Sequence, residues 1–190
     1  MKLRFFAVIL ASLVNFTFAS DFESPVIQYH WHNTACYLYD NHIGIMLKNN
    51  SNAEIGEQAY LLHNNACYIP KGAKPITKFK LTQFYLGKKG HELFFDSGSS
   101  PDFRQLKIYD INQHKFVFVD KYVNGLSFES NNTVEYWQEA PEQDNLALCP
   151  DKESMLANGL TPMIVQRVVL DLSDYMQKIY TKKPKCTYVQ

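Results

Sequence analysis

Arg104-Gln105-Leu106-Lys107-Ile108-Tyr109-Asp110-Ile111, then Asn112-Gln113-His114, then Lys115-Phe116-Val117-Phe118-Val119-Asp120-Lys121-Tyr122: this stretch decides the fold class. Two runs rich in β-branched and aromatic residues flank three turn-forming ones, the pattern of a β-hairpin. No 3.6-residue helical period competes with it. Phe116 to Val119 are apolar on both faces, so this strand is expected in the centre of the core.

The same grammar extends outward in both directions. Upstream, Ile76–Leu86 alternates, with Phe79, Leu81, Gln83 and Tyr85 on one side. Gly87-Lys88-Lys89-Gly90 reads as a turn, Glu92–Asp96 as the next strand, and Ser97 to Asp102 as a polar loop. Downstream, Asn124-Gly125 and Asn131-Asn132 punctuate two more strands, Leu126–Glu129 and Thr133–Trp137. The result is a β-meander. The C-terminal third adds a short helix over Pro150–Ala157, closed by Asn158-Gly159, and a strand over Met163–Leu172. Ser173–Tyr180 fits either a helix capped by Ser173 or a strand in a hairpin with Lys185–Val189. The expected fold is mainly β: one antiparallel sandwich or partly open barrel, with one or two short helices near the C-terminus.

The first residues carry an address. Lys2 and Arg4 precede an apolar run of ten, Phe5 to Val14, which is too short to span a bilayer as a helix. Thr17-Phe18-Ala19 then places small residues where a signal peptidase cuts. Residues 1–19 are therefore read as a signal peptide and 20–190 as a single β-rich domain, secreted or periplasmic. No later stretch is long and apolar enough to span a membrane. The whole chain has 19 basic and 19 acidic residues; without Lys2 and Arg4 it has 17 against 19, a net charge of −2. Such a balance excludes nucleic-acid binding as the main task, since that needs clustered Lys and Arg.

The four cysteines, Cys36, Cys67, Cys149 and Cys186, read as two disulfides once export is accepted. Three pairings are open. His32-Asn33-Thr34-Ala35-Cys36-Tyr37 recurs as His63-Asn64-Asn65-Ala66-Cys67-Tyr68, with strand-like runs Tyr37–Leu47 and Glu57–His63 between. A hairpin folded at Ser51/Asn52 would set Cys36 opposite Cys67, which favours Cys36–Cys67 with Cys149–Cys186.

Chemistry is sparser. Leu93-Phe94-Phe95-Asp96-Ser97-Gly98-Ser99-Ser100 resembles the signature around the catalytic carboxylate of pepsin-like aspartic proteases. There, a strand ends in an aspartate held by the following hydroxyl and glycine, and two such carboxylates share a proton. With one copy, the resemblance implies a dimeric peptidase using Asp96 twice. The apolar-apolar-Gly strand of such enzymes has no counterpart, because Val123-Asn124-Gly125 and Ala157-Asn158-Gly159 carry asparagine there. The same string is also good turn chemistry. His30 and His32 share a face if their segment is extended, and with His63, His42 or Asp40 would suit Zn²⁺ or Cu²⁺. No HExxH, CxxC pair, nucleophile elbow or cofactor-binding loop accompanies them, and no cofactor is expected.

Aromatics supply the remaining signal. Tyr37, Tyr39, Tyr60, Tyr68, Tyr85, Tyr109, Tyr122, Tyr136 and Trp137 lie on or beside expected strands, where exposed ones would anchor a partner. The leading expectation is an exported, disulfide-stapled binding module without catalytic activity, contacting a protein or cell-envelope component. A peptidase using Asp96 and a metal-binding protein using His30, His32 and His63 are the alternatives.

Overall fold

A computed structural model describes residues 22–49, 55–63, 66–79, 82–98, 103–123, 125–130, 132–141 and 146–190. The expected signal peptide, residues 1–19, lies outside them.

The described residues form three four-stranded antiparallel sheets, each from one contiguous stretch of sequence. The first contains β1 (Ile27–Trp31), β2 (Thr34–Leu38), β3 (Gly44–Asn49) and β4 (Glu57–Leu62), in that spatial order. The second contains β5 (Gln83–Lys89), β6 (Glu92–Ser97), β7 (Phe103–Asp110) and β8 (Lys115–Val123). The third is made of β9 (Leu126–Ser130), β10 (Thr133–Glu139), β11 (Thr161–Asp171) and β12 (Gln177–Val189), ordered β12-β11-β10-β9. A short helix, α1 (Lys152–Ala157), and a 3₁₀ turn at Leu146–Leu148 sit between β10 and β11. The fold is mainly β and does not close into a barrel.

The layers follow from which residues alternate inward. Leu93, Phe95 and Tyr109 of the second sheet pack with Ile45, Leu47 and Ala59 of the first. Phe94, Leu106, Ile108 and Tyr122, on its opposite face, pack with Val134, Tyr136, Val168 and Leu170 of the third. The second sheet is thus the middle layer, and β6, buried from Leu93 to Ser97, presents apolar residues to both neighbours. A bulge in β11 between Val165 and Arg167 rephases that strand. Met163 and Val165 then join a cluster with Val123, while Ile164 packs beside Cys149 and Cys186.

Several expectations need correction. β8 lies in the middle layer, as its doubly apolar run suggests, yet it is the last strand of its sheet rather than a central one. The Gly87–Gly90 segment is not the turn: β5 runs on to Lys89 with a bulge at Gly87, and the reversal falls at Gly90-His91. The expected strand Ile76–Leu86 begins only at Gln83. Of the two readings of Ser173–Tyr180, the strand holds in part: the chain turns over Ser173 to Met176 and returns from Gln177 as β12, which pairs with β11.

Both disulfides take the favoured pairing, Cys36–Cys67 and Cys149–Cys186. The geometry behind the first differs from the hairpin argument. Tyr37–Leu47 is not one strand, because the chain reverses between β2 and β3. Cys36 therefore faces Met46, and Cys67 reaches it by crossing the outer face of the sheet, with Ile69 and Ala73 packing over Met46, Tyr60 and Leu62.

Candidate functional site

β1 is built by alternation. Ile27, Tyr29 and Trp31 point to one face, Gln28 and His30 to the other. A two-residue turn at His32-Asn33, with His32 at φ 34°, closes the Trp31–Thr34 pair. The register with β2 then runs without a bulge from Ile27–Leu38 to Trp31–Thr34. All five β1 residues are exposed. Ile27, Tyr29 and Trp31 expose 40%, 47% and 49% of their surface, and the Tyr29 and Trp31 rings stack at 5.5 Å and 16°. Val26, just before the strand, is also exposed.

This apolar strip is held from below. Tyr29 registers with Cys36, so the Cys36–Cys67 bridge anchors the neighbouring strand at the strip's midpoint. On the other face, His30 meets Tyr37 edge-on at 5.9 Å, and the Gln28 amide donates to its Nε2 at 2.6 Å. Tyr37 leans on Tyr85, whose hydroxyl is 2.8 Å from that of Tyr39. Glu57 Oε2 accepts from the Tyr85 amide at 2.7 Å. Burial pushes these tyrosines above their ordinary value, with the Glu57 charge adding to the effect at Tyr37. Burial also raises the Glu57 carboxyl, and the Tyr85 amide partly offsets this.

Asp96 lies elsewhere. It ends β6 on the face shared with Phe94, is 7% exposed, and pairs with the Arg104 guanidinium, whose pKa this contact raises. Tyr122, beside them, is pushed up first by burial and then by the Asp96 charge. Across β7, on the same face, Asp120 Oδ2 accepts from Tyr136 at 2.6 Å and from the amides of Gln138 and Gln177. The two aspartates are therefore separated by Leu106 and each is engaged by its own donors. An open cleft of about 1130 Å³ runs past this seam, lined by Gln105, Asp120, Lys121, Gln138 and Glu139 among others.

The histidines do not converge. His32 leaves the strand at the turn, and His63 packs against His114 with ring centroids 6.0 Å apart. Among the described residues no three His, Cys, Asp or Glu side chains gather as a metal-ligand set.

Most of the aromatics expected as anchors are core: Tyr39, Tyr60, Tyr109, Tyr122 and Tyr136 are buried, and only Tyr68 is exposed. Sequence reasoning passed over Tyr29 and Trp31, although the alternation Ile27-x-Tyr29-x-Trp31 was the signal that marks them. Compared with protein-family models, with curated proteins and with solved structures, the chain matches none.

Proposed function

We propose that this chain is an exported, disulfide-stapled binding module that contacts a protein or cell-envelope component through the aromatic strip of β1. The observation carrying this is the exposure of Ile27, Tyr29 and Trp31 side by side on one strand face. Single exposed apolar residues are ordinary, but a contiguous row on a rigid strand marks a contact surface. Tyr and Trp offer large area at little cost in side-chain entropy. Two disulfides in a β-rich fold fit an oxidising compartment. Among the described residues no helix is long and apolar enough to cross a membrane.

Two measurements test it. N-terminal sequencing of the exported protein is expected to begin at Ser20; retention of Met1 in the exported form removes the address. Purified protein is expected to co-sediment with envelopes of the producing cell. Tyr29→Ser with Trp31→Ser should lower the bound fraction at least fivefold, while the distant exposed Met176→Ser leaves it unchanged. Equal retention of all three proteins discards the strip as the contact surface.

A further inference from the structure

Sheet edges are hazards that proteins usually blunt with charges, bulges or covering segments. This molecule blunts most of its own. The β4 edge is capped by the following segment: the Ile76 amide donates to the Ala59 carbonyl at 2.7 Å, and Thr77 Oγ1 bridges the Ala59 amide and Glu57 carbonyl. β5 carries a bulge and two lysines, Lys88 and Lys89. β8 carries Lys115, Asp120 and Lys121; β12 carries Lys178, Lys185 and Pro184. β1 has none of these devices. It holds no Lys, Arg, Asp or Glu, no proline and no bulge, and among the described residues it is hydrogen-bonded on one side only, to β2.

Its sequence is also self-complementary. In an antiparallel pair centred on Tyr29, Ile27 meets Trp31 of a second copy, Gln28 meets His30, and Tyr29 meets itself. Every apolar residue then finds an apolar partner on one face. Every polar residue finds a hydrogen-bonding partner on the other, and the amide–imidazole contact already occurs within one strand at 2.6 Å. This is the condition for a two-fold, isologous contact.

We propose that β1 pairs edge-to-edge with β1 of a second copy, joining the two outer sheets into one of eight strands. The pairing builds on the strip assigned above, since it doubles that strip while leaving its face open. One five-residue seam is a small interface, so the dimer is expected to be weak and concentration-dependent, with a dissociation constant on the order of 10 µM.

Sedimentation velocity on the exported protein between about 1 and 100 µM tests the seam. The expected result is a shift from monomer towards dimer. Tyr29→Lys, which sets two lysines against each other on the axis, should stay monomeric with both disulfides and the melting temperature retained. The register is tested by charge exchange. A Gln28→Lys, His30→Lys variant and a Gln28→Glu, His30→Glu variant should each be monomeric, and their equimolar mixture should dimerise. A monomeric wild type at the highest concentration overturns the proposal, as does a mixture that fails to pair. An N-terminal segment occupying the edge would show as the first of these outcomes. Envelope retention is read separately: wild type that is monomeric yet retained refutes the pairing alone. A dimer whose retention survives Tyr29→Ser with Trp31→Ser refutes the strip alone.

Discussion

Lys88 is the most deeply buried charge described, at 1% exposure, and its ammonium is compensated by Glu23 at 2.5 Å and the Tyr39 ring at 5.2 Å. Glu23 also accepts the Gly90 amide at 2.6 Å, so one carboxylate ties the segment before β1 to the β5–β6 turn. Breaking a fully buried pair costs roughly 3–5 kcal/mol; with the Glu23 side chain 40% exposed, Glu23→Ala is expected to cost about 2 kcal/mol in urea unfolding. Adding Lys88→Met should return most of that, because no ammonium is then left unpaired. Glu57 gives a pH signature. Its carboxyl titrates above 4.5 in the folded protein, so the folded state holds that proton more tightly than the unfolded chain. Its contribution favours folding below that value and weakens as pH rises through it and the higher folded value. Glu57→Gln keeps an acceptor for the Tyr85 amide and should flatten stability against pH between about 4.5 and 7, raising it slightly at pH 7. A slope unchanged from wild type would remove this reading.

Among the elements, the bulge at Gly87 shows why turns were less legible than strands. Glycine pairs around lysines read as a reversal, yet Gly87 serves a close approach: a Cβ there would lie 2.3 Å from Phe22 Cγ. Phe22 packs on Phe94 at 5.4 Å and on Phe128 at 5.1 Å, closing the middle and third sheets at one end. Gly87→Ala should therefore expel that ring and cost about 1–3 kcal/mol. In a Phe22→Ala background the same change should cost much less, a non-additivity that a double-mutant cycle measures. The strands from β6 to β10 were legible because alternation and β-branching act locally. Nothing local announces whether an alternating strand lies inside or at an edge; only its neighbours decide that.

For the molecule as a whole, two staples hold opposite ends. Cys36–Cys67 spans 31 residues in the first sheet and Cys149–Cys186 spans 37 in the third. Chain-entropy estimates give each about 4 kcal/mol, less whatever structure the reduced chain retains. Guanidinium unfolding with and without reductant should show this loss. Cys36→Ala with Cys67→Ala should also loosen the Ile69–Ala73 cover over Met46 and Tyr60, seen as faster hydrogen exchange in β3 and β4 but not in β11. The β class and most strands could be read from the sequence; the disulfide pairing was favoured only through a hairpin that does not form, and the three-layer stacking could not be read, because both depend on contacts between distant segments. That stacking has a consequence in time. Each sheet is one contiguous stretch, so a chain emerging N-terminus first completes the first sheet and clamps it on the second well before the third exists. Until Val134 to Leu172 arrive, Phe94, Leu106 and Ile108 present a bare apolar wall. The half-emerged chain is thus at its stickiest in mid-delivery, and the last third of the sequence acts as the lid that ends that exposure.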